Sequence, residues 1–91
     1  MEQSDPILNM PVDVISACCA DGSLRPHRIR LEQERELEVF SVTQILSDKE
    51  IHPAGQPMIS YICRIGDEER SRLAELRYHI ARHRWYLYRL L

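Results

Sequence analysis

Apolar and polar residues alternate with a period of two through much of this chain. Ile29 and Leu31 alternate with Arg28, Arg30 and Glu32, the signature of a strand with one buried face. Ile59, Tyr61, Cys63 and Ile65 alternate in the same way with Ser60, Ile62 and Arg64. Between these runs, Leu37 and Val39 keep the alternation, which then slips near Phe40-Ser41 before Val42, Ile45 and Leu46. A bulge would produce such a slip and help a small sheet to curl. Val12 to Ala20 is β-prone, and Asp21-Gly22-Ser23 supplies a turn. Pro26 lacks an N–H and so belongs at a strand start or on an edge. Ser47 to Pro57 reads as a loop broken by Pro53, Gly55 and Pro57. Residues 1–11, with Pro6 and Pro11, read as an N-terminal arm.

The last quarter admits two readings. Asp67 could cap a helix with Glu68 and Glu69 in its first turn. Leu73, Leu76 and Ile80 fall at helical spacing, and no Gly or Pro interrupts residues 67–91. Against this, Leu76, Tyr78 and Ile80 alternate with Arg77 and His79, and Trp85 and Leu87 alternate with Tyr86 and Tyr88. Four or five preceding strands favour a final hairpin, because it would pair an otherwise open sheet edge. The expected fold is all-β: a small antiparallel barrel or meander of five or six strands near 12–20, 24–32, 36–46, 57–65, 72–80 and 84–90. The alternative is α+β, with a C-terminal helix from about Asp67. The predicted core is Val14, Leu24, Ile29, Leu31, Leu37, Val39, Ile59, Tyr61, Cys63, Ile65, Leu76, Tyr78, Ile80, Trp85 and Leu87.

Ninety-one residues, 44% apolar and 29% charged, suit a single small domain spanning residues 12–91. No apolar run approaches the ~18 residues that cross a bilayer, and the acidic start is unlike a secretory leader. The expected location is the cytoplasm, with no membrane partner. Three cysteines agree: Cys18 and Cys19 are too close for an ordinary disulfide, so free thiols are expected. The net charge of −2 hides an asymmetry, since residues 1–69 carry thirteen acids and six bases whereas residues 70–91 carry six arginines and only Glu75. Acidic strands pairing with basic ones would account for this without a partner. A basic face meeting nucleic acid or an acidic protein is the sharper reading.

Three motifs resemble a family of short bacterial proteins, chiefly from Firmicutes, to which no activity is assigned. They are a turn glycine before Leu24-Arg-Pro-His-Arg-Ile-Arg-Leu-Glu32; Ala54-Gly55-Gln56 followed by Met58, Tyr61 and Cys63; and Glu75-Leu-x-Tyr78 with Trp85-Tyr86-Leu87 seven residues on. The likeness runs in order from about Val12 to Leu90. The last block is also loosely similar to the end of small domains linked to accessory proteins of bacterial mutagenic DNA polymerases. The resemblance implies a compact all-β barrel ending in a hairpin and implies no chemistry. This chain departs from the pattern at His79, Arg82 and His83, which make its last turn more basic.

Catalysis finds little foothold. His79-x-x-x-His83 would share a helix face as zinc ligands do, but in a hairpin the two residues bracket a turn. No C-x-x-C occurs, and adjacent strand residues such as Cys18 and Cys19 point to opposite faces. Cys63 is expected in the core and inert. Acidic residues 32, 34, 36 and 38 share a parity, as solvated strand faces do, and glycine-rich phosphate loops are absent. The expectation is a non-catalytic interaction module without metal or cofactor. Its partner would be another protein or a second copy, met through Arg28, Arg30, Arg77, His79, Arg84, Tyr86, Tyr88 and Arg89, since Tyr and Arg are enriched at interfaces. Leu90 would join Tyr86 and Tyr88 on the outer side. A nucleic-acid accessory using the Arg/Tyr-rich hairpin, with bases stacked on tyrosines, is the alternative.

Overall fold

Six strands follow one another around a closed antiparallel barrel, each hydrogen-bonded to its neighbours in sequence, with the last returning to the first. The computed structural model describes residues 7–67 and 69–91. The strands are β1 (Ile7–Cys18), β2 (Leu24–Gln33), β3 (Glu36–Ile51), β4 (Met58–Gly66), β5 (Ser71–His79) and β6 (Arg84–Leu90), with one 3-10 turn at Pro53–Gly55. The hairpin reading of the last quarter therefore holds, and the helix from Asp67 does not form. Residues 71–79 and 84–90 pair with each other. That pairing satisfies β5 on its second side and closes the sheet, which an isolated helix could not do.

Two boundaries and the position of one register slip differ from expectation. β1 begins at Ile7, so residues 7–11 of the expected arm belong to the first strand and pair with β6; residues 1–6 lie outside the described part. β3 continues through Ile51 and pairs with β4 as far as Met58, which shortens the expected 47–57 loop. The register slip in β3 falls between Val42 and Gln44 and again between Ile45 and Ser47, not at Phe40.

β1 is divided between two neighbours. Residues 7–12 pair with β6, and residues 13–18 pair with β2. Such a switch lets one bent strand close a small barrel. It also accommodates Pro11, which lies where β1 is paired on one side only.

The interior is built from Ile29, Leu31, Tyr61, Cys63, Ile65, Ala74, Leu76, Trp85 and Leu87. Trp85 lies 4.9 Å from the ring of Tyr78 and 5.4 Å from that of Tyr61, separations at which tilted aromatic pairs attract. The Tyr61 hydroxyl donates to the Leu24 carbonyl, and burial pushes its pKa up to about 12. Val14, Leu24, Ile59 and Tyr78 pack around this cluster, half-buried. Ile80 is half-buried in the β5–β6 turn and lies outside the cluster.

Leu37 and Val39 do not belong to the core; they are 65% and 55% exposed. β2 and β3 pair without a slip, so Phe40 stands opposite Ile29 and faces inward, whereas Val39 stands opposite Arg30. Leu90 is also displaced from expectation. β6 carries an extra residue at Tyr88, where the register against β5 shifts. That shift turns Leu90 back towards the interior, against the core cluster.

Candidate interaction surface

The expected surface divides into two groups of side chains. The first lies on the outer side of β4, β5 and β6 and is centred on Glu75. Glu75 alternates with the core residues Ala74 and Leu76, so it points outward, yet it is only 3% exposed. Three groups enclose its carboxylate. Ser60 Oγ and Arg77 Nε donate to Oε2, each at 2.8 Å, and Arg89 Nε donates to Oε1 at 2.7 Å. The guanidinium of Arg77 also lies 3.4 Å from the centroid of the Tyr88 ring, a cation–π contact. The bulge at Tyr88 makes this assembly possible, because it places Arg89 directly opposite Glu75. Burial alone would raise the Glu75 pKa, but the hydrogen bonds from Arg77, Ser60 and Arg89 prevail and hold it below the ordinary 4.5.

Arg77 and Arg89 are therefore committed to an internal carboxylate, and Tyr88 is stacked on one of them. Tyr86, opposite Arg77, is half-buried. His79 is buried beside this group and does not contribute to a surface. Arg82 N–H donates to its Nδ1 at 3.2 Å, so the neutral ring carries its proton on Nε2, which bonds to Gln56 Oε1. His79 thus ties the β5–β6 turn to the loop after β3. His83 bonds instead to the Tyr78 hydroxyl through Nδ1 at 2.8 Å. Among the described residues no group of three or more His, Cys, Asp or Glu side chains converges as a metal site would.

The second group surrounds the switch point of β1. Arg30 reaches back to Asp13 at 2.8 Å, with both side chains largely exposed. Arg30 and Arg84 border one open groove of about 580 Å³ beside Met10–Val14. Arg28 and Arg30 border a second, of about 440 Å³, with Ile15 and Val39. Cross-strand pairing fixes the pattern of this outer face. Asp13, Arg30 and Val39 form one row, Ile15, Arg28 and Ser41 the next, and Glu32 stands beside Leu37. Ile15 is 63% exposed. Three apolar side chains thus stand in water on the outside of β1–β2–β3, framed by arginines and carboxylates.

Sequence reasoning overlooked both centres. Glu75 reads as an outward strand residue, because parity alone does not reveal that Arg77, Arg89 and Tyr88 cover it. Ile15 sits out of phase with Val12 and Val14, and that phase was the available signal that it faces outward. Cys18 and Cys19 are free thiols, as is the core Cys63; burial pushes the Cys63 thiol up to about 11, so it stays protonated. No known protein family, curated protein or solved structure matches this chain.

Proposed function

We propose that this protein is a non-catalytic, cytoplasmic interaction module whose β1–β2–β3 outer face pairs with the same face of a second copy. One observation carries the reading: Ile15, Leu37 and Val39 are each more than half exposed on the outer face of one sheet. Leu37 and Val39 are neighbours on β3, with Ile15 across β2 beyond the arginines, and exposed apolar side chains gathered on one face and bordered by polar groups mark interaction sites. The same surface holds Arg28 and Arg30 together with Asp13 and Glu32. Interspersed charges of both signs on one patch give it the self-complementary character that an isologous interface requires. The protonated, enclosed Cys63 thiol supports a role without nucleophilic chemistry. The nucleic-acid reading has less support, since Arg77 and Arg89 of the hairpin are already paired with Glu75.

Light scattering across a concentration series tests this. The expected result is a concentration-dependent dimer that Ile15→Glu with Val39→Glu converts to monomer; at a dilution where both chains are monomeric the two melting temperatures should agree, because both side chains are exposed. A wild-type chain that remains monomeric at near-millimolar concentration overturns the proposal.

A further inference from the structure

The barrel is filled unevenly. Tyr61, Tyr78 and Trp85 occupy the half where β6 begins and β5 ends. The other half is lined by aliphatic side chains, with the small Cys63 and Ala74 facing each other across β4 and β5. A cavity of about 300 Å³ opens there, at the end where β1, β3 and β5 begin and β2, β4 and β6 finish. Leu31, Ile65 and Leu87, each no more than 6% exposed, form its floor, and Phe40 forms part of its wall. Two arginines, Arg70 and Arg72, stand on the rim against one carboxylate, Glu38. Among the described residues neither guanidinium lies within ion-pair distance of a carboxylate.

The rim is built rather than loose on the arginine side. Asp67 Oδ1 accepts the backbone N–H groups of Glu69 and Arg70 at 2.9 and 2.7 Å, and Asp67 N–H donates to the Arg70 carbonyl at 2.8 Å. Gly66, at φ +125°, is packed against that same carbonyl. The turn carrying Arg70 is therefore held in place over the opening.

We infer that this end of the barrel binds a small amphipathic anion, a carboxylate with a short aliphatic tail, the tail on the aliphatic floor and the charged head between Arg70 and Arg72. Barrel mouths are common ligand sites, and a volume near the lower bound of the usual ~300–1,000 Å³ range selects a small occupant. Two arginines at one opening suit a carboxylate head, since a guanidinium can grip a carboxylate in a bidentate fashion. The site is independent of the self-association face and stands whether or not the chain dimerises.

Octanoate, octanol and inorganic phosphate, each titrated calorimetrically and by amide chemical shifts, test this inference. Octanoate should saturate and move the amide signals of Phe40, Gly66 and Leu87. Octanol, lacking the charge, and phosphate, lacking the tail, should bind roughly tenfold more weakly or worse. Arg70→Gln with Arg72→Gln, both exposed positions, should weaken octanoate by a similar factor while the melting temperature holds. The inference is overturned if octanol or phosphate matches octanoate, if the shifts map elsewhere, if the double variant binds as wild type, or if octanoate never saturates.

Discussion

Glu75 shows how much one side chain can organise on the outside of a small barrel. Its carboxylate is enclosed by Ser60, Arg77 and Arg89, and converting it to an amide would remove the charge and leave one acceptor oxygen for two guanidinium groups. Fully buried pairs lose about 3–5 kcal/mol when broken this way. Arg89 still reaches solvent, so Glu75→Gln is expected to destabilise by about 2 kcal/mol at neutral pH, measured by urea unfolding. Because the folded-state pKa of Glu75 lies below its ordinary 4.5, its contribution is complete above that value and is lost as pH falls through the folded pKa. The wild-type melting temperature should therefore drop on acidification below pH 4.5, and Glu75→Gln should flatten that limb. Trp85, 8% exposed and against both Tyr61 and Tyr78, is the other keystone. Trp85→Ala should cost roughly 3–5 kcal/mol in the same measurement; an unchanged unfolding midpoint would contradict the packing described.

The elements were legible wherever two-residue alternation met a turn signal. β2, β4 and β6 appear in the sequence within a residue of their observed ends. Alternation gives a period but not a phase, and this is why Leu37 and Val39 read as core. Their phase is set by the partner strand, through the register that seats Phe40 against Ile29, and pairing of that kind is not local information. The choice between helix and hairpin after Asp67 is of the same type, settled by long-range pairing that propensity does not encode. Of the three glycines, Gly66 at the end of β4 is the most tightly enclosed. A Cβ at Gly66 would fall 2.1 Å from the Arg70 carbonyl oxygen, and the backbone is at φ +125°. Gly66→Ala is expected to destabilise by roughly 2 kcal/mol or more, whereas Gly22→Ala, with open space around its Cβ position, pays only the strain of its positive φ. Thermal unfolding of the two variants side by side checks the order.

At the scale of the molecule, five of the six strand pairings join neighbours in sequence, and the sixth joins the first strand to the last. That closing pair brings Ile7 opposite Arg89, so nearly the whole chain must be in place before the barrel shuts. Because that closing pair spans the chain, folding is expected on the millisecond-to-second scale of small β-barrels, followed by Trp85 fluorescence in stopped flow; relaxation in microseconds would argue against a late closure. The same juxtaposition has a consequence for rearranged chains. Cross-strand partners lie about 5 Å apart, so a short linker could splice the carboxyl end onto Ile7. New termini could then be opened between Glu34 and Arg35, whose positive φ angles mark a tight turn. In such a circular permutant the β6–β1 seam becomes an ordinary hairpin, and the β2–β3 pair takes over as the joint that closes the ring.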